Sequence, residues 1–423
     1  MVRPLLALAI LALPHSGAAE EFFTLKGHGG PIMGIAVSPN DQIATASFDN
    51  AVGLWSDTGV PAWHDGHEAA VNTVHFAHGS MVSGADDFTV RQWPGGTVLG
   101  RHQGKVMGID HSQNLIASAS WDGSIGLWPL TAGTPARFLT GHDAGVNAVA
   151  FSGDGARLYS ASSDGTLRLW DVKAGTEIRQ ILGHGFGINE MVLNETDGWI
   201  AYGAVDGVTR IIDADTGAQI ADFSLQRRPI LSLALSPDRS QLAVGDGEGY
   251  IMVIDTGAWR ITRDFRATRR GPVWALAFSR DGTNIHAGGL DPVMYSWPVA
   301  TMDAHDRMGQ QAHSFLRPPE DMENGERQFQ RKCSICHSLT ESSARRAGPT
   351  LFGVFGRQAG TVSDYTYSDT LAGSDIIWTE DSIDALFDLG PDHYIPGSKM
   401  PMQRIVNPED RDDLITYLRQ ATR

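Results

Sequence analysis

The densest chemistry in this 423-residue chain is the run Cys333-Ser334-Ile335-Cys336-His337. Two thiols separated by two residues can each add to one vinyl group on the same edge of a haem, and the histidine that follows then sits under the iron as fifth ligand. Zinc would need further thiolate or imidazole ligands, and the chain holds only two cysteines. A redox dithiol would sit at the end of a strand in a βαβ pattern, which is absent. Gly348-Pro349 follows a short loop later, where a backbone carbonyl can accept the Nδ1–H of His337 and make Nε2 the better donor to iron. Further on, Tyr394-Ile395-Pro396-Gly397-Ser398-Lys399-Met400 reads as an extended loop held by a Pro-Gly turn. The Met400 thioether can complete octahedral coordination from that loop, with Met402 and His393 as competitors for the sixth position.

The elements around these residues follow one pattern from Gly325 to Thr422. Gly325-Glu326-Arg327-Gln328-Phe329 precedes the cysteines, and Gly348-Pro349-Thr350-Leu351-Phe352-Gly353-Val354-Phe355-Gly356-Arg357 follows them. Tyr365-Thr366-Tyr367-Ser368, Trp378, the Met400 loop and Arg411-Asp412-Asp413-Leu414-Ile415-Thr416-Tyr417-Leu418 complete it. In order and spacing this segment resembles the mitochondrial cytochrome c and bacterial cytochrome c2 family (class I). The resemblance implies an all-α domain with one covalent haem c, held by Cys333 and Cys336. It implies iron ligated by His337 and Met400, Pro349 as the carbonyl partner of His337, Tyr367 and Trp378 as donors to a haem propionate, and Arg357 near that propionate. It also implies a first helix with Gly325 and Phe329 crossing a last helix with Leu414 and Tyr417. The residues support the last helix independently, since Leu414, Tyr417 and Leu418 share one face with charges opposite. The sequence departs from the family at Phe387, where a tyrosine is usual, at Leu371, where asparagine is common, and at Met402, where an aromatic often shields the haem edge.

Between about residues 20 and 300 lies a repeat of about 40 residues. Its copies close on Trp55, Trp93, Trp128, Trp170, Ile212-Asp213, Ile254-Asp255 and Trp297. An acid stands near each close: Asp49, Asp87, Asp122, Asp164, Asp206, Glu248 and Asp291. A histidine precedes each of the first five acids by roughly 20 residues: His28, His67, His102, His142 and His184. Arg228 and Arg270 hold that place in the last two copies. These features resemble the WD40 repeat, most clearly in copies one to four, and imply a seven-bladed β-propeller with four strands per blade. Each blade must stack on its neighbours to cover its faces, and Glu21-Phe22-Phe23-Thr24-Leu25 could close the ring as the outer strand of blade seven. A buried His and Asp are tolerable only when paired, so the histidines read as structural. The tryptophans read as filling between blades. Gly245-Asp246-Gly247-Glu248-Gly249 reads as the blade-six turn rather than a phosphate loop, and no further metal-ligand cluster is expected in the propeller.

The fold class is therefore a multidomain one: a seven-bladed all-β propeller followed by an all-α class I cytochrome c domain. The expected organisation is 1–19 signal peptide, 20–300 propeller, 301–319 linker and 320–423 haem domain. Arg3, the apolar run Leu5–Leu13 and Ser16-Gly17-Ala18-Ala19 make the signal, with cleavage expected after Ala19. The run is too short to span a bilayer, and no later stretch reaches the roughly 18 apolar residues a membrane helix needs. A periplasmic location follows, because the family resemblance places haem attachment outside the bacterial cytoplasm. With both thiols on haem, no disulfide is possible. The formal net charge is −16, which argues against nucleic acid and anionic membranes as partners. The haem domain has only Lys332 and Lys399, so a lysine docking ring is excluded, and the redox partner should offer a neutral or basic face. The functional expectation is one-electron transfer, with the propeller as a docking platform for a protein partner and no catalytic residue assigned. Two alternatives stand beside it: an oxidoreductase whose propeller binds and oxidises a substrate, and a redox-sensing scaffold.

Overall fold

The computed structural model describes residues 21–422 apart from 57–59, 132, 225–228, 302–321, 335, 344 and 401–403. The expected signal segment, nearly all of the expected linker, Arg228 and Met402 lie outside the described residues. The propeller consists of seven four-stranded sheets. Six are built from consecutive strands. The seventh takes its outer strand from the start of the described chain, where Phe23–Lys26 runs antiparallel to Val293–Pro298 with Phe23 opposite Ser296. The first strand of each blade packs on the first strand of the next, and Ile32–Val37 meets Val273–Phe278 to complete the circle. Each of these first strands carries a one-residue bulge near its start, between Val71 and Thr73 in blade two and at the matching place in the other six.

Stacking of the blades explains the repeat's composition. The second strands carry small residues such as Ala44, Ala46, Ala117 and Ala119, all fully buried, because both of their faces are covered. Gly84 shows how close the blades come: a Cβ there would lie 2.3 Å from the Val106 side chain of blade three.

Polar groups inside the blades are paired in relays. In blade one the Trp55 indole N–H donates to Thr45 Oγ1 (2.8 Å), which lies 2.7 Å from His28 Nε2, and His28 Nδ1 lies 2.9 Å from Asp49. The carboxylate can only accept, so Nδ1 carries the proton and Nε2 accepts from the hydroxyl. Blade two repeats this with Trp93, Ser83, His67 and Asp87. Blade three uses Trp128, Ser118, His102 and Asp122, and blade four Trp170, Ser160, His142 and Asp164. Burial lowers the pKa of His102 and His142 against the pull of their aspartates, which suits a neutral ring. Burial pushes Asp164 up, but hydrogen bonds from Thr166 and His142 outweigh it and hold the carboxyl down at about 2. The hydroxyl member stands four residues before each acid, a regularity the sequence reading did not use. Blade five puts Tyr202 there, 3.3 Å from His184.

Blades six and seven differ. The acid that holds the blade-six turn is Asp246, not Glu248: Asp246 is buried and accepts from the backbone N–H of Glu248 (2.9 Å) and Tyr250 (3.0 Å). An aspartate reaches its own turn amides with a shorter side chain, so the capping acid stands two residues earlier while the turn at 247–249 stays where the repeat puts it. In blade seven Arg270 pairs with Asp291 at 3.4 Å in place of a histidine.

The C-terminal region is helical. Asn324–Lys332 crosses Pro408–Ala421 at Gly325, where a Cβ would lie 2.1 Å from the Asp413 carbonyl oxygen. Phe329 packs on Tyr417 with ring centroids 5.6 Å apart, and Leu414, Ile415 and Leu418 are buried behind them. Asn407 caps the last helix by accepting from Glu409 N–H, and Pro408 starts it, a position where a missing N–H costs nothing. Glu380–Leu389 begins with a capping box between Thr379 and Ser382 and supplies Ile383, Leu386 and Phe387 to the core. Among the described residues no helix is long and apolar enough to cross a membrane.

Candidate functional site

Cys333, Cys336 and His337 follow directly from the first helix, whose last turn is continued by the Cys333 N–H bonding to the Phe329 carbonyl (2.8 Å). They open onto a cavity whose empty volume, including the part open to solvent, is ≈1390 Å³. Its walls are mainly apolar: Pro349, Leu351, Val354, Leu371, Ile383, Leu386, Phe387, Ile395 and Leu418. Arg357, Tyr367, Trp378 and Met400 line the same cavity. All eight residues read from the sequence as haem contacts therefore converge on one space. His393 is exposed and lies outside it.

The imidazole is held firmly. His337 Nδ1 donates to the Pro349 carbonyl at 2.8 Å, which leaves the Nε2 lone pair for a ligand. Burial lowers the pKa of His337, partly offset by that bond, and nearby Arg346 and Arg357 lower it further. Gly348 is required here, since a Cβ would fall 2.5 Å from the His337 ring. Burial pushes the free thiols of Cys333 and Cys336 up, to about 12 and about 11. A redox dithiol needs the opposite shift.

Two polar atoms point to what the cavity takes. The hydroxyls of Ser368 and Ser398 line it, are buried, and have no hydrogen-bond partner. Unpaired buried hydroxyls are costly, so a polar group on the bound molecule is needed to satisfy them. Arg357 and Tyr367 stand in the same lining. The Arg357 guanidinium is anchored on the carbonyls of Phe352 and Thr350, both at 2.7 Å. Tyr365 donates to the Ala347 carbonyl at 2.6 Å and packs edge-on against Tyr367. A flat apolar macrocycle with acidic side arms fits this donor set. The sequence reading missed Ser368 and Ser398; each sits beside an assigned residue or within the Met400 loop, but its burial depends on packing alone.

The family model "Cytochrome c" matches residues 322–422, and "WD domain, G-beta repeat" matches residues 19–56, 61–94, 96–129 and 133–171. Cytochrome c of Sesamum indicum is 41% identical over 107 residues, covering 25% of this chain and 94% of the relative. The chain belongs to the cytochrome c family. Cytochrome c of Ginkgo biloba is 40% identical over 105 residues, 92% of its length, and that of Theileria parva 37% identical over 105 residues, 90% of its length. In the propeller, the WD40 β-propeller domain of Doa1 superposes with a TM-score of 0.59 at 20% identity, covering 65% of this chain and 95% of that one. Only the fold is shared there. As a cytochrome c with WD40 repeats, the protein binds haem c covalently and transfers electrons through it. Its propeller has the architecture of a protein-interaction module.

The cytochrome c region meets the propeller at the cavity mouth. Phe48, Asn50, Glu68, Ala69, Ala70 and Asp86, from turns of blades one and two, complete the lining. Arg345 pairs with Asp65 at 2.6 Å and stacks over Trp63 at 4.5 Å.

Against expectation, the propeller does contain a cluster of metal-ligating side chains. His75, Asp110 and His111 converge at the far ends of the first strands of blades two and three. The repeat concealed them, because the ring partners lie 36 residues apart and belong to different blades.

Proposed function

We propose that this cytochrome c is a periplasmic one-electron carrier, its iron ligated by His337 and Met400, with the propeller as docking platform for a protein partner. The observation that carries this reading is the convergence of His337 and Met400 on one apolar cavity. Haem supplies the one-electron couple there. The protein's residues do the rest. Pro349 fixes the tautomer of His337, His337 and Met400 would hold the iron and leave no place for a small substrate, and Arg357, Tyr367, Trp378, Ser368 and Ser398 would hold the acidic side arms. The apolar lining keeps water from the centre and so limits reorganisation on electron transfer. The periplasmic assignment draws its support from the signal-like start of the sequence and from the covalent haem. A net charge of −16 favours a partner with a neutral or basic face.

Replacing Met400 with alanine in the full-length holoprotein tests the ligand assignment. The covalent haem stays, the ferric sulfur-to-iron charge-transfer absorption disappears, and the ferrous form becomes able to bind carbon monoxide. A spectrum unchanged by the substitution rules Met400 out. Cell fractionation followed by haem staining tests the location, and a cytoplasmic band overturns it.

A further inference from the structure

The most unusual polar group outside the haem cavity is the trio His75, Asp110 and His111. Counted from the bulge that every first strand shares, His75 and Asp110 occupy the same ring position in blades two and three. The other five blades place Ala36, Ala150, Val192, Ala234 and Ala277 there. His111 is one step further, where the other blades have Val37, Phe76, Phe151, Leu193, Leu235 and Phe278. Three ligand-type side chains thus replace apolar ones at adjoining points of a ring that is otherwise apolar at this level. Unlike the relay histidines, they serve no turn.

The geometry is that of an open metal site. His75 Nε2 and His111 Nδ1 face each other at 2.9 Å, and Asp110 Oδ1 lies 3.6 Å from the first and 3.9 Å from the second. A tetrahedral ion with bonds of about 2.0–2.1 Å holds its donors roughly 3.4 Å apart, so the two rings need to part by only about 0.5 Å. The remaining Asp110 oxygen accepts from the Phe151 N–H at 2.7 Å, an outer bond that turns Oδ1 toward the imidazoles. Side-chain exposures of 31%, 24% and 33% for His75, Asp110 and His111 leave a path for an ion and room for a fourth ligand from solvent. His78 is near, its ring centroid 5.1 Å from that of His111, but its Nε2 is committed to the Ser112 carbonyl at 3.0 Å.

We propose that His75, Asp110 and His111 bind one divalent transition-metal ion of the zinc class, distinct from the haem iron, with one coordination position open to solvent. Two imidazoles and one carboxylate are the donor set such ions prefer over magnesium or calcium. Metal binding needs a lone pair on both facing nitrogens, so the ring that donates between them moves its proton to its other nitrogen. The site lies on the side of the propeller away from the haem cavity. Ala70, just before the blade-two strand, touches that cavity, and His75 is roughly 16 Å further along at ordinary strand rise.

The test uses the full-length holoprotein without an affinity tag, stripped with a chelator and titrated with Zn²⁺ against a colorimetric competitor. Wild type is expected to take up one Zn²⁺ per haem iron by elemental analysis after gel filtration. His75→Gln, His111→Gln and Asp110→Asn should each weaken binding at least about tenfold, since loss of a ligand costs no less than the roughly 10- to 100-fold of losing a group that only orients one. The double variant H75Q/H111Q should abolish it, while haem absorbance and the far-UV spectrum stay as in wild type. Zn²⁺ should raise the melting temperature of wild type and not of the double variant, so a variant that folds poorly is recognised by its own melt. His78→Gln should leave the stoichiometry unchanged. Zinc uptake equal in wild type and the folded double variant, or no stoichiometric uptake by wild type, overturns the proposal.

Discussion

The propeller and the cytochrome c region solve opposite problems with their buried polar atoms. In blades one to four each buried histidine is satisfied on both nitrogens, by an aspartate on one side and a hydroxyl backed by an indole on the other. Those relays need nothing from outside, although elsewhere in the propeller single atoms such as His64 Nε2 and Asn284 Oδ1 are buried without a partner. Around the haem cavity, the Ser368 and Ser398 hydroxyls are buried with no partner, and a large apolar space lies against them. That region is finished only by its cofactor. Stability of the first should therefore respond to single polar substitutions, and stability of the second to haem.

The widest separation of the two regions should come from the double substitution Cys333→Ala and Cys336→Ala. Covalent haem is lost, and with it the helical part of the far-UV signal, whereas the propeller keeps its own calorimetric transition. A single transition lost in full would show that the regions do not fold separately. Next in size is Asp164→Ala, which removes the carboxylate that accepts from the buried His142 Nδ1–H and leaves only the Thr166 hydroxyl, 3.3 Å away, in reach. The propeller should lose about 3 kcal/mol in denaturant melts, with the haem spectrum unaltered. Because the Asp164 carboxyl is held down at about 2, its contribution is full above pH 4 and fades as pH falls toward 2, so the gap between wild type and variant should close over that window.

A third substitution probes a propeller carboxyl with the opposite sign. Glu190 stands in the first strand of blade five at a ring position that is Gly, Thr, Ala or Ser in the other blades. Burial pushes it up to about 7, against a single backbone bond from Met191. Its ionisation opposes folding, so stability should fall as pH rises from about 4.5 to 7. Glu190→Gln should gain at most about 3 kcal/mol at pH 8 and nothing below pH 4. The smallest effect belongs to Arg345→Ala at the junction of the two regions. That exposed pair with Asp65 is worth less than about 1 kcal/mol. Its loss should instead quicken reduction of the haem by a large reductant in stopped-flow mixing, since the cavity mouth is covered by blades one and two; equal rates would separate the contact from haem access.

What the sequence made legible tracks how local each signal is. Cys333, Cys336 and His337 are contiguous, and their spacing states their chemistry. The His–Asp pairs are 20 to 22 residues apart, yet a repeat displays them several times over. Trp378 was reachable only through family resemblance, and the residues alone left Met400 in competition with Met402 and His393, because nothing nearby in the chain indicates which of them faces His337. Ser368 and Ser398 carry no local mark at all, since being buried and unpaired is a property of the packed cavity. Glu248 keeps the repeat's place for the acid, but Asp246 holds the turn, a matter of side-chain reach that counting back from the strand end does not show. The trio in blades two and three escaped notice for a subtler reason: the bulge register aligns His75 with Asp110, so two different residue types share one place and no repeated letter betrays it.

The outer strand of blade seven comes from Phe23–Lys26, whereas its other three strands come from the far end of the propeller sequence. The ring is thus latched by chain segments some 270 residues apart, and the haem region leaves from the blade that holds the latch. Any pull transmitted from that region arrives at Val293–Pro298 and loads the four paired positions with Phe23–Lys26 side-on, in shear. Fraying at either end of the ring is thus resisted by its pairing with the other.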